Sequence, residues 1–123
     1  NIFFVGYVSN KRQLASYYNQ SDFILLPSKR TKDWEELFGM VIIEAMACGL
    51  PLITSNVHGI VDYSIDGETG YNCSPTDVDS FSKYIKNLYL DIEKRNRMTA
   101  NNIEAVKKFN QLNVLNLMEQ IYT

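Results

Sequence analysis

Three stretches of this chain are apolar at consecutive rather than alternate positions: Ile2-Phe3-Phe4-Val5, Phe23-Ile24-Leu25-Leu26 and Leu52-Ile53. A strand that is apolar on both faces has to be covered on both faces, which is the condition of a parallel sheet between layers of helix. The segments between these runs read as helices. Lys11 to Asn19 carries Leu14, Tyr17 and Tyr18 at amphipathic spacing, and Phe38 to Cys48 is too long and too apolar for a strand. The latter ends at Gly49-Leu50-Pro51, glycine then proline, a combination that stops a helix. A tight turn is expected at Asp66-Gly67-Glu68-Thr69-Gly70, with a fourth short strand at Tyr71-Asn72-Cys73. From Thr76 onward the chain reads as helix, over Asp77–Leu90, Asp91 to about Phe109, and Asn113–Tyr122. This alternation predicts an α/β fold with a parallel sheet of four strands, the first being Ile2–Gly6.

Residues 1–123 suit a single domain. Open parallel sheets usually hold about five or six strands, so this domain is expected to be partial, with a further segment upstream. The net charge is −2, and the basic residues form short clusters such as Lys11-Arg12, Lys29-Arg30 and Lys107-Lys108 rather than a stripe. That argues against a nucleic-acid partner. No apolar run reaches the roughly 20 residues that span a bilayer. The two cysteines, Cys48 and Cys73, lack metal-ligand spacing and read as buried and reduced, which fits a cytoplasmic protein. No metal cluster is evident in the sequence.

The chemistry concentrates around Phe38–Cys48, where Glu44 is the lone charged residue. Either Glu44 reaches solvent along a thin exposed stripe, or it points into a cleft and meets hydrogen-bond donors, because a buried carboxylate without them is costly. Gly39 falls in the first turn of this helix, where N–H groups lack intrahelical partners and the dipole favours an anion. A glycine there admits a phosphate close to the backbone. Glu36 precedes that turn and Glu44 lies eight residues further on, about 12 Å along a helix. That is the scale of the distance from a sugar, across a diphosphate, to a ribose.

Glu36 and Glu44, in the context Glu-x-Phe-Gly-x-x-x-x-Glu-Ala-Met-Ala-x-Gly-x-Pro, resemble the EX7E motif of GT-B retaining glycosyltransferases, in particular family 4. Phe4-Val5-Gly6-Tyr7-Val8, Ser21-Asp22, Pro27-Ser28 and Asp66-Gly67-Glu68-Thr69-Gly70 are similar to further elements of that family, in the same order. The resemblance implies a Rossmann-like donor-binding domain of a two-domain enzyme that transfers a sugar from a nucleotide-diphosphate sugar to a glycan or lipid-linked acceptor. It implies Glu36 as the catalytic-site residue on the donor-sugar hydroxyls, with Phe38, Gly39, Met40 and Val41 around the sugar and distal phosphate. Glu44 would bind the ribose, and the backbone near Gly6 and Val8 would line the base pocket. No cofactor or metal is implied beyond the donor substrate.

The resemblance has gaps. The Arg and Lys that the family usually brings to the diphosphate precede its equivalent of Ile2, and the acceptor-binding domain is likewise outside this sequence. The chain alone is therefore expected to bind donor weakly and transfer nothing. In such an enzyme the helix over 109–123 often crosses to the other domain, and the full-length protein can sit peripherally at the inner membrane face. The family's Gly-Gly-x-x-Glu is here His58-Gly59-Ile60-Val61-Asp62, so His58 reads either as an acceptor or phosphate contact or as a local loop contact. Lys29, Arg30 and Lys32 read as a solvated loop or a phosphate approach, and Trp34 either as packing the loop over the sugar site or as simple packing. The alternatives to a transferase are a nucleotide-sugar epimerase of the same fold and a non-catalytic interaction module.

Overall fold

A computed structural model describes residues 1–33, 39–57 and 59–110. Its sheet has three strands, β1 (Ile24–Leu26), β2 (Leu52–Ser55) and β3 (Gly70–Cys73), in the order β1-β2-β3 and parallel throughout. Ile24 lies opposite Leu52, and Leu52 in turn opposite Gly70. Every residue of β2 is buried, as a central strand with helices on both sides requires. The connections are helical: α1 (Lys11–Asn19) precedes β1, α2 (Met40–Ala47) joins β1 to β2, and α3 (Val78–Leu90) and α4 (Ile92–Val106) follow β3. A turn of 3-10 helix at Lys107–Phe109 closes the described chain. The fold is a Rossmann-like α/β arrangement.

Each face of the sheet has its own apolar cluster. On one face Ile42, Ala45 and Met46 of α2 pack with Leu50, Leu52, Val57, Ile60 and Tyr63. On the other, Ile53, Tyr71 and Cys73 meet Phe81 and Leu88 of α3 and Met98 of α4. Burying a side chain such as Ile42 or Met46 stabilises by about 1.5–3 kcal/mol, so α2 is held by packing rather than by any polar cap. Its end is set by Gly49, at φ +74. Gly49 N–H donates to Met46 O at 2.9 Å and Leu50 N–H to Ala45 O at 3.0 Å, a Schellman closure. A Cβ at Gly49 would stand 2.8 Å from Thr99 Cγ2, so the missing side chain is also what lets α4 lie against α2.

The remaining helices start on side-chain caps. Asn10 accepts from Arg12 and Gln13 N–H at 2.9 and 3.2 Å to open α1, Asp77 from Ser80 N–H at 3.0 Å to open α3, and Asp91 from Lys94 N–H at 2.8 Å to open α4. Asn102 on α4 is fully buried and donates from Nδ2 to Thr69 O and Met98 O, both at 2.8 Å, which ties α4 to the turn before β3.

One expected element is not formed. Ile2–Gly6 is not a strand, and Ile2, Phe3, Phe4 and Tyr7 are 84%, 83%, 95% and 93% exposed. An apolar run states a need for burial without saying where, and the outer edge of β1 carries no paired strand among the described residues. The sheet therefore has three strands here instead of four. Cys73 is buried as expected, whereas Cys48, just past the end of α2, is half-buried; both are free thiols. The helix expected over Asn113–Tyr122 lies outside the described residues. Among the described residues no helix is long and apolar enough to cross a membrane.

Candidate functional site

Parallel strands align their C-terminal ends, and a helix that returns from β1 to a parallel β2 starts at that end of the sheet. The tip of α2 therefore opens at the edge where α/β sheets bind ligands. Gly39 caps it at φ +59, a left-handed conformation suited to glycine, and its carbonyl takes the N–H of Ile42 at 2.8 Å and of Ile43 at 3.4 Å. The N–H groups of Met40 and Val41 have no partner among the described residues, and both side chains are exposed. Two free amides at the positive end of a helix dipole form an anion-attracting tip.

Ser55, at the end of β2, donates its hydroxyl to Ser28 O, with Leu26 O at 3.3 Å, so the exit from β1 towards this tip is tied to the central strand. Next to it, Thr54 Oγ1 donates to Asn72 Oδ1 at 2.9 Å, and Asn72 Nδ2 donates to Ser64 O. That chain of bonds holds β2, β3 and the loop ending at Ser64 together at the same end.

Glu44 sits one turn into α2 from Met40 and faces α1. Its carboxylate meets two hydrogen-bond donors there. Lys11 Nζ donates to Glu44 Oε1 at 3.0 Å and the Tyr18 hydroxyl donates to Oε2 at 3.2 Å. The Glu44 side chain is 27% exposed and that of Lys11 80%. Beside them a groove of about 210 Å³ runs between α1 and α2, lined by Leu14, Ala15, Ala47 and Cys48 as well as the three polar residues. Burial and the neighbouring Glu44 carboxylate push the Tyr18 phenol up to about 12. It is thus a dependable donor at any ordinary pH. Burial, and then Glu44, also push the Cys48 thiol up, which favours its protonated form.

Lys11 and Tyr18 were not singled out in the sequence as site residues. The signal was present, because Lys11, Leu14, Ala15 and Tyr18 fall at i, i+3, i+4 and i+7, one face of a helix. What the sequence lacked was the neighbour that this face meets. Of the other expected site residues, Gly6 is exposed at φ +75 and Val8 is half-buried, both just ahead of the Asn10 cap of α1. Glu36 and Phe38 lie outside the described residues, as do Trp34 and His58. Lys29, Arg30 and Lys32 are exposed. No group of three or more His, Cys, Asp or Glu side chains among the described residues is arranged to hold a metal ion. A larger hollow of about 500 Å³, at the corner between α3 and α4, is lined by Asn87, Leu90 and Asp91–Lys94. Its central carboxylate, Asp91, is engaged in capping α4.

The model of the glycosyl transferases group 1 family matches residues 1–105. This chain belongs to that family. It is 36% identical over 88 residues to a glycogen synthase of Mycobacterium tuberculosis, covering 72% of this chain and 20% of the synthase. It is 33% identical over 122 residues to N-acetyl-alpha-D-glucosaminyl L-malate synthase of Bacillus anthracis, and 31% identical over 123 residues to the capsular polysaccharide biosynthesis glycosyltransferase CapM of Staphylococcus aureus. Those matches cover 98% and 99% of this chain and 30% of each relative, so the chain spans less than a third of the proteins it resembles. Among solved structures, sucrose-phosphate synthase from Thermosynechococcus elongatus superimposes with a TM-score of 0.84 at 34% identity, over 98% of this chain and 29% of that one. The C-terminal domain of a group 1 glycosyl transferase from Francisella tularensis does so with a TM-score of 0.73 over 85% of this chain and 51% of that one; at 23% identity it speaks for the fold alone.

Proposed function

We propose that this chain is the donor-binding part of a retaining, family 4 glycosyltransferase, and that it takes a nucleotide-diphosphate sugar at the tip of α2. The observation that carries the reading is the carboxylate of Glu44, held by Lys11 and Tyr18 one turn from the amides of Met40 and Val41, which have no partner among the described residues. A nucleotide diphosphate presents the matching pair of groups, an anion next to a vicinal diol. The diphosphate sits at Gly39, Met40 and Val41, where N–H groups and the helix dipole stabilise the charge that develops as the sugar leaves. Glu44 accepts the ribose hydroxyls, and the backbone near Gly6 and Val8 lines the base pocket. Glu36 takes the sugar hydroxyls and lies in the catalytic site. The acceptor, a glycan or a lipid-linked glycan, is bound by a separate N-terminal domain. No metal or cofactor is needed beyond the donor.

Isothermal titration with UDP, GDP and ADP and with their sugars tests this reading. Saturable binding of at least one nucleoside diphosphate, stronger than that of the nucleoside, is the expected result. Failure of all three to bind a longer form that restores the upstream segment would refute it. Product analysis with that form should show transfer to an acceptor, and no epimerised nucleotide sugar when acceptor is left out.

A further inference from the structure

Glu44 is the one acid in its helix, and what gives it a defined orientation comes from another element. Each carboxylate oxygen has one donor, from Lys11 on Oε1 and from Tyr18 on Oε2. A carboxylate oxygen has two lone-pair sites, so each retains one for a further hydrogen bond. Both donors come from one element, α1. Two parallel acceptor sites on one rigid carboxylate match the two O–H groups of a vicinal diol. The rotamer freedom that a glutamate would lose on binding is already given up in the unliganded protein.

We propose that Lys11 and Tyr18 are positioning residues for Glu44, and that through it they set a preference of this site for ribonucleotides over 2′-deoxyribonucleotides. The inference rests on the reading of Glu44 as the diol acceptor and adds to it the origin of its selectivity. The two residues contribute differently. Tyr18 is half-buried, with its ring packed against the core cluster that holds Ile42 and Leu52. Lys11 is a flexible, solvated cation whose hold on Glu44 weakens with salt. A deoxyribonucleotide leaves one of the two free lone pairs without a donor, so its penalty depends on how firmly the carboxylate is fixed.

The test compares UDP, GDP and ADP with their 2′-deoxy forms, by titration at low salt, in the protein and in Tyr18→Phe, Lys11→Met and Lys11→Arg. The readout is the ribo-to-deoxyribo ratio of Kd values, which a merely structural loss would leave unchanged. Tyr18→Phe should lower that ratio about fivefold, the scale on which a charged acceptor feels the loss of one orienting donor. Lys11→Met should lower it about twofold at low salt and leave it unchanged at high salt, with Lys11→Arg restoring it. Wild-type protein that discriminates, with variants that keep the full ratio, would overturn the positioning role while leaving Glu44 as the diol acceptor. Wild-type protein that binds both sugars equally would overturn that underlying reading as well. Should Tyr18→Phe fail to fold, the exposed Lys11 pair decides, since neither change touches the core.

Discussion

Replacing Glu44 by Gln keeps the shape of the side chain and removes its charge, so it separates the functional part of this residue from its structural part. On the structural side two contacts weaken. The ion pair with Lys11 is worth no more than roughly 1 kcal/mol, because the Lys11 side chain is 80% exposed and its charge is screened by water. The Tyr18 hydroxyl can still donate to the amide oxygen, and exchanging a charged for a neutral acceptor costs about 1 kcal/mol. Stability should therefore fall by about 1–2 kcal/mol, a few degrees in Tm. On the functional side the amide keeps one acceptor, its oxygen, while its NH2 group can only donate; one diol hydrogen bond passes to a neutral acceptor and the other is lost, at least about 1 kcal/mol each, which amounts to roughly 30-fold or more in affinity for a nucleoside diphosphate. The thiol supplies an internal control. Glu44 helps hold the Cys48 pKa up, so Glu44→Gln should lower it and raise its rate of alkylation near neutral pH. Titration calorimetry, thermal unfolding and iodoacetamide kinetics measure the three effects. Nucleotide affinity unchanged in a variant whose Cys48 reactivity rises would refute the placing of the diol at Glu44.

Other changes probe the frame around the site. Gly49→Ala puts a Cβ 2.8 Å from Thr99 Cγ2 at φ +74, and the strain with the clash should cost about 2–4 kcal/mol in chemical denaturation, without altering the ribo-to-deoxyribo ratio. Asn102→Ala leaves Thr69 O without its buried donor and should destabilise by about 2–3 kcal/mol in the same assay. The Tyr18 phenol is pushed up from 10.0 to about 12 in the folded chain, so folded protein keeps a proton that unfolded protein loses. That contribution to stability is fully present below pH 10 and is lost as pH rises towards 12. Tyr18→Phe should flatten the alkaline fall in Tm between those limits, and an unchanged slope would show that other groups carry it.

The fold was legible where the physical demand is local. Gly49-Leu50-Pro51 stops α2 in any context, and Leu52-Ile53 is apolar on both faces because β2 is central. Lys11–Asn19 was read to the residue because Asn10 caps it and its apolar positions fall on one face. The strand expected at Ile2–Gly6 failed for a nonlocal reason. A strand exists only when paired, and apolar residues such as Phe3 and Phe4 show the need for a partner without supplying one.

The site follows the same division. The lone charge of Glu44 between Phe38 and Cys48 was enough to mark it, since an isolated carboxylate in an apolar helix must find donors or water. Where those donors come from depends on how α1 meets α2, a contact between elements with β1 between them in the chain, and spacing within one helix does not contain it. Tyr18 reads as one of the amphipathically spaced positions of α1, and by exposure it is half-buried; only the 3.2 Å approach of its hydroxyl to Glu44 Oε2 gives it a second task. Packing and function thus fall on one ring. The ring is fixed by the core, and because it is fixed its hydroxyl can fix a carboxylate in turn. A flexible residue in its place could donate the same bond but could not lend the rigidity on which selectivity for a second hydroxyl depends.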